Sequence, residues 1–366
     1  MRLSFPANRS FGSRQRSLLS TLLPTRLLTR LLTLLTMCLR LDHKRRTHPP
    51  TLLTTLLTTR LRLDHKRRTH LPTRLRLDHK RRSLLLTLLI AIWRTSPAFA
   101  TVPIVETDIP PVNALVAQVM GSLGTPRMLL DKGGDEHDMQ LRPSQMRDLN
   151  AANLLIWVGP DLTPGLDQAR AAAPALQSLE LLDNPATLRR DYTAGGINPH
   201  AWLDPGNATE WIGLIEDRLA LLDPEDAGTY HTNAVAARAR IDKLDATLAA
   251  KLQPLNRRFV TYHDAYGYFA AHFHLPYAGG LAAGDATAPG AARIAELHDA
   301  AAQGTIACAF PEAQHDPGLI TNLAQGSKLF IGPPLDPSGS TLPPGPDAYD
   351  TLMINLTDAL LTCPNP

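Results

Sequence analysis

Along residues 101–366, short apolar runs alternate with longer stretches of helical spacing. PIVET (103–107), RMLLD (127–131), NLLIWVG (153–159) and SLELLD (178–183) are short and continuously apolar, which reads as strands covered on both faces. PVNALVAQVMGSLG (111–124) and RPSQMRDLNAA (142–152) instead repeat apolar residues three and four apart, as one face of a helix requires. Strand and helix in alternation predict a mostly parallel sheet covered by helices. The rhythm then breaks. From Asp223 to Pro254 the chain is rich in Ala and Leu, with no Gly or Pro after Gly228. Asp223 suits an N-cap and Pro224 a first helical position, so the stretch predicts one helix of about 30 residues, about 45 Å long. A helix of that length has to leave the first lobe. Beyond it the alternation resumes: RRFVTYH (257–263), LPYAG (275–279), TIACAFPEA (305–313) and KLFIGPPLD (328–336) read as strands with helices between. The expected architecture is α/β: two lobes with mostly parallel sheets, 101–222 and 257–366, joined by one long helix within 223–256.

The first hundred residues change the picture. LRLDHKRR occurs three times, from Leu39, Leu61 and Leu75. Residues 1–100 hold 21 of the 37 Lys and Arg but 3 of the 34 Asp and Glu, which leaves 16 basic against 31 acidic residues in the remainder. The overall charge of +3 therefore describes neither part. A basic repeat can serve nucleic acid or an anionic membrane, but these copies carry no aromatics to stack on bases, fit no binding fold, and are unevenly spaced. Residues 1–79 are expected to be a low-complexity basic extension, either unstructured or not a genuine part of the protein; no nucleic-acid partner is expected. Residues 80–100 have a basic start at Lys80–Arg82, an apolar centre from Leu84 to Trp93, and the small-x-small site Ala98-Phe99-Ala100. That is the layout of a secretory signal peptide, its centre too short for the roughly 20 residues that span a bilayer. Cleavage after Ala100 would release an acidic, exported chain starting at Thr101, with no Cys there to carry a lipid.

The exported part keeps two cysteines, Cys308 and Cys363. In an oxidising compartment an even pair reads as one disulfide; the alternative is two buried thiols.

Eight histidines remain, and three of them sit where a strand runs into a loop or helix. His137 follows LLDKGGDE, His200 lies in INPHAWLDP, and His263 ends RFVTYH. Loops at the carboxyl ends of parallel strands gather along one edge, so two histidines of the first lobe and one of the second can converge in the cleft between lobes. Three imidazoles and one carboxylate make a good tetrahedral shell for Zn²⁺. Glu136, Asp336 or a water can fill the fourth place. Taken singly, a histidine at a strand end is more often a hydrogen-bonded structural residue. Asp264, Asp138, Asp204 and Glu312 flank the ligand stretches; each could accept a ligand's second ring N–H, and each also suits a helix cap or the surface. His231, His272, His274, His298 and His315 read as solvated. Trp202 and Tyr266 are expected to pack between the lobes.

The stretches EHDMQLRPSQMRDLNAANLLIWVGPDL, NPHAWLDP, FVTYHDAYGYFA, CAFPEAQHDP and PLDPSG, in this order, resemble the substrate-binding proteins of ATP-binding-cassette importers for zinc and manganese, most of all the zinc-uptake members. The resemblance covers residues 103–363. It implies a stiff helical spine between two lobes, metal in the cleft, ligands at His137, His200 and His263, and a fourth ligand from Glu136, Asp336 or water. It also implies a Cys308–Cys363 disulfide, a periplasmic monomer without catalytic activity, and an inner-membrane permease to which zinc is delivered. Manganese members carry a carboxylate where this chain has His263, and imidazole favours zinc over manganese. Two features depart from the family: residues 160–197 contain no His, so no metal-collecting loop is expected, and Asn198 stands where an Asp is common. The rival expectations are a manganese or other divalent-metal binder or an adhesin on the same scaffold, and a zinc-dependent hydrolase with Glu136 as general base, for which no HExxH motif is present.

Overall fold

The structure, a computed structural model, describes residues 101–192, 195–282 and 289–364. The basic repeats of 1–79 and the leader of 80–100 lie outside the described residues. In the first lobe β1 (Val105–Thr107), α1 (Pro110–Met120), β2 (Arg127–Met128), α2 (Pro143–Ala151), β3 (Leu154–Trp157), α3 (Pro164–Ala171) and β4 (Gln177–Glu180) follow one another. The strands make a sheet of order β2-β1-β3-β4, parallel throughout. Central β3 is buried along its whole length, as its unbroken apolar run demands. β2 departs from the expectation of a strand covered on both faces: it is a two-residue edge whose Arg127 is exposed beside Glu106, 3.6 Å away. The buried carboxylate of Asp108 joins β1 to β3, accepting the backbone N–H groups of Ile109 and Val158 at 2.9 and 2.8 Å.

A short antiparallel hairpin, β5 (Arg190–Asp191) and β6 (Ile197–Asn198), leads through a 3-10 turn at Ala201–Leu203 into α4 (Pro205–Leu222). The pattern above assigns no element to 205–222, yet Ala208, Trp211, Ile212, Ile215 and Leu219 form a buried helical stripe there. The long helix α5 spans Ala227–Leu252, 26 residues or about 39 Å, rather than starting at Asp223. The reason is local. The Asp223 N–H closes α4 onto Leu219, and its Oδ2 accepts the Tyr230 hydroxyl at 3.0 Å, so the residue ends one helix and ties to the next rather than starting it. Asp226 begins α5 instead. Tyr230, Ala234, Ala237, Ile241, Leu244, Leu248 and Leu252 recur every three or four residues and are its buried face, packed on α4, α1 and the C-terminal helix Ala348–Leu360. Each fully buried Leu on such a stripe contributes about 1.5–3 kcal/mol.

The second lobe runs β7 (Phe259–His263), α6 (Gly267–His272), β8 (Tyr277–Ala282), α7 (Ala291–Ala302), β9 (Cys308–Phe310), α8 (Gly318–Leu323), β10 (Phe330–Ile331) and α9 (Ala348–Leu360). Its sheet has order β10-β9-β7-β8, again parallel. Cys308 on β9 is bonded to Cys363, just beyond α9, with Cα atoms 5.9 Å apart. One hydrophobic core passes from β1 and β3 through Trp202, Trp211 and Tyr230 to Phe259, Phe310 and Tyr349. The two sheets therefore share a core across α5. A smaller cluster around Val260, Leu281 and Leu297 fills the far side of the second sheet. Among the described residues no helix is long and apolar enough to cross a membrane.

Candidate metal centre

Three separate devices bring three imidazoles together. The loop after β2 turns at Gly133, whose φ of 73° favours glycine. Gly133 donates its N–H to the Ser340 carbonyl of the second lobe at 2.9 Å, and the Asp135 carboxylate accepts the His137 N–H at 2.9 Å. Glu136 is thereby buried, and the His137 side chain is 9% exposed. His200, fully buried, precedes the 3-10 turn after β6. Asn198 holds it in an Asx turn: its Oδ1 accepts the His200 backbone N–H at 3.0 Å and faces the ring Nδ1 at 2.9 Å. His263 is the last residue of β7, with its Nδ1 2.6 Å from Oε2 of buried Glu312. Gly280 lets β8 close on this point, since a Cβ there would lie 2.4 Å from the His263 carbonyl carbon.

The ring centroids of His137 and His200 are 5.4 Å apart, those of His137 and His263 5.8 Å, and those of His200 and His263 5.0 Å. One ring nitrogen from each lies within 4.8 Å of the others. The Nε2 atoms of His200 and His263 are 3.2 Å apart. Two nitrogens on one tetrahedral zinc, each about 2.05 Å from it, are about 3.3 Å apart. The partners set the tautomers. Asn198 Nδ2 donates to the Asp264 carbonyl at 2.8 Å, so its Oδ1 faces His200 and takes an Nδ1–H. Glu312 takes the Nδ1–H of His263. Both Nε2 atoms then turn lone pairs toward one point, an arrangement that a cation between them stabilises. Burial, then the neighbouring His263 and His137, push the His200 pKa well below 6.5, so the ring is neutral and ready to ligate. Burial raises the Glu136 carboxyl to about 8, against the opposing pull of its own backbone N–H. Its Oε1 is 3.9 Å from His137 Nε2.

The other candidates are distributed unevenly. Asp336 lies on a turn of its own, accepting from Gln314 Nε2 at 2.8 Å, from the Ser340 and Thr341 N–H groups at 3.1 and 2.9 Å, and from the Thr341 hydroxyl at 2.7 Å. Neither it nor Glu136 joins the group of three imidazoles. Glu312 touches His263. Asp264, buried, contributes its carbonyl to Asn198 and its side chain toward Tyr277. Asp204 caps α4 by accepting the Gly206 N–H at 2.8 Å and also pairs with His272. Asp138 is exposed. Trp202 is buried, 5.1 Å from the His200 ring, and its Nε1 donates to the Pro337 carbonyl across the lobes at 2.8 Å.

Two histidines expected in solvent are instead partly buried and engaged. His272 lies between Asp204 at 2.8 Å and Asp245 at 2.9 Å, which raises its pKa to about 9, Asp204 contributing most. His315 stacks on Tyr262 with centroids 4.2 Å apart. Neither contact is local in sequence, so neither left a signal. The Asn198 contact did: Asn-Pro-His carries the Asx spacing.

The profile of the family described as "Zinc-uptake complex component A periplasmic" matches residues 105–363. The high-affinity zinc uptake system protein ZnuA of Paracoccus denitrificans is 44% identical over 304 residues, spanning 73% of this chain and 93% of its own length. ZnuA of Brucella abortus is 30% identical, spanning 71% and 91%. Among solved structures, the periplasmic zinc binding protein TroA of Treponema pallidum superposes with a TM-score of 0.64 at 21% identity, covering 71% of this chain and 98% of its own. A crystal structure of ZnuA superposes with a TM-score of 0.61 at 23% identity, covering 70% and 99%. At these identities the superpositions show the shared two-lobe fold.

Proposed function

The chain belongs to the family of periplasmic zinc-uptake components, and from that premise we propose that it captures Zn²⁺ with His137, His200 and His263 and yields it to the permease of an ATP-binding-cassette importer. The observation that carries the ligand set is the facing pair of Nε2 atoms, 3.2 Å apart, each on a ring whose Nδ1 is committed to Asn198 or Glu312. In this reading Glu136 is the fourth ligand, exchanging its proton for the metal, because Asp336 is fully engaged by its own turn. Glu312 and Asn198 orient the rings. Nitrogen donors with at most one carboxylate select zinc over manganese. Family membership favours zinc uptake over the manganese, adhesin and hydrolase alternatives. The protein acts as a monomeric carrier without turnover.

The proposed division keeps 101–222 and 257–366 as lobes and 223–256 as the spine between them. Their shared core, and the bonds Trp202 to Pro337, Asn198 to Asp264 and Tyr349 to Trp202, oppose wide hinge opening. Release then comes from displacement of the His137 loop while the permease is docked. The reading includes export by the leader, with cleavage after Ala100.

The test is metal analysis and competition titration of the exported chain, with N-terminal mass determination. Single His→Ala changes at 137, 200 and 263 are expected to weaken zinc binding. Unchanged affinity in two of the three contradicts the ligand set.

A further inference from the structure

A second group of metal-capable side chains shares one member with the triad. Glu312, His315 and His263 bring ligand atoms within 4.8 Å of one another. Glu312 and His263 are buried, whereas His315 leaves 30% of its side chain in solvent. His200 is fully buried and the His137 side chain is 9% exposed. His315 is therefore the imidazole a zinc ion from solvent meets ahead of the triad. Its ring lies flat on Tyr262, with 15° between the planes, which aims Nε2 at Glu312 Oε2, 3.7 Å away. The same carboxylate oxygen is 2.6 Å from His263 Nδ1, so Glu312 stands between the exposed imidazole and the inner one. The His315 and His263 ring centroids are 6.2 Å apart. Asp135 and Asp316 add negative charge at this mouth; with Glu312 they act on the Tyr262 hydroxyl.

We propose that His315 and Glu312 form an outer, transient Zn²⁺ site through which the ion reaches His263 and the inner triad. This deepens the zinc reading above and rests on it. The outer ion is held by Glu312 Oε2, His315 Nε2 and water. Moving inward, it leaves those two atoms and bonds to the lone pair of His263 Nε2. His263 neither gains nor loses a proton in this step, because it keeps its Nδ1–H throughout. Glu312 Oε2, once vacated, accepts that Nδ1–H and strengthens the ligand that has just taken the metal. One carboxylate oxygen cannot do both at full strength, so the two sites pass a single ion rather than hold two.

The test uses His315→Phe, which keeps an aromatic ring on Tyr262 and removes the nitrogens. Zinc capture by the metal-free exported chain is followed by stopped-flow fluorescence of Trp202, which abuts His200. Capture is expected to slow severalfold, since the outer site loses its nitrogen ligand while the Glu312 carboxylate stays. Equilibrium zinc affinity, from chelator competition, is expected to stay unchanged. Capture as fast as in the native chain overturns the proposal, and so does an affinity loss that matches the rate loss. A second arm uses His200→Ala, expected to retain one weaker zinc that the further change His315→Phe removes; retention of that zinc in the double variant also overturns it. A native chain that binds no zinc at all refutes the triad reading instead, which separates the two failures.

Discussion

Glu312→Gln isolates what a buried carboxylate does for a ligand it orients. Glu312 Oε2 accepts the Nδ1–H of His263 at 2.6 Å, and Oε1 accepts the His263 backbone N–H at 3.3 Å. Glutamine has the same shape, and its carbonyl can still accept from Nδ1. What disappears is the charge, together with the acceptor at Oε1, where an amide NH2 now faces the His263 backbone N–H. A hydrogen bond to a charged group contributes about 1.5–3 kcal/mol and a neutral one about 1, so the loss is about 0.5–2 kcal/mol. It falls on the zinc-bound state, where the metal polarises the imidazole and makes Nδ1–H a better donor. At 1.4 kcal/mol per decade, zinc affinity is expected to drop about tenfold. Glu312→Ala removes both acceptors, frees the ring to turn, and is expected to lose about a hundredfold, the upper end for such orienting partners. Competition against a chromophoric chelator at pH 7 measures both, with thermal melts of the metal-free proteins to confirm folding. If the glutamine variant binds zinc as tightly as the native chain, fixing the His263 tautomer is not what Glu312 contributes.

Three further outcomes are expected. Glu136, raised to about 8, is protonated at pH 7, so zinc binding is expected to release about one proton there, measured by calorimetry in buffers of different ionisation enthalpy. Glu136→Gln is expected to abolish that release; the same release in the variant excludes Glu136 as fourth ligand. His272 is raised to about 9, so its contribution is full below about 6.5 and is lost as pH rises through about 9. Such a change is worth at most about 3 kcal/mol, and its partial exposure brings this to about 2. His272→Ala should cost that much in urea melts at pH 6 and little at pH 9.5; equal costs at both would refute the clasp. Breaking Cys308–Cys363, which closes a 55-residue separation, is expected to lower stability by about 4 kcal/mol, read from melts with and without reductant.

Much of the fold was legible because its signals are local. The apolar run LLIW at 154–157 can be little else than a central strand, and the Tyr230–Leu252 stripe marks a long helix. Helix ends were less legible, since Asp223 and Asp226 are equally good caps in sequence. In the fold Asp223 instead closes the preceding helix with its N–H and accepts the Tyr230 hydroxyl. At the site, strand-end positions pointed to His137, His200 and His263, and Asn-Pro-His held the orienting Asn198 in plain view. Asp336 and Glu136 looked interchangeable as carboxylates. The folded chain gives them different surroundings, four donors around Asp336 and burial beside His137 for Glu136.

The sequence by itself determined the alternation of strand and helix, the long spine, the cysteine pair and the residue types able to hold zinc. Periodicity and donor chemistry are properties of a few neighbouring residues. The tertiary structure alone decided that two Nε2 atoms 63 residues apart come within 3.2 Å, that Glu312 backs one ring and Asn198 the other, and that His315 stands outside them. Those facts depend on how two sheets settle around one shared core, and distance between residues far apart in sequence is what packing sets.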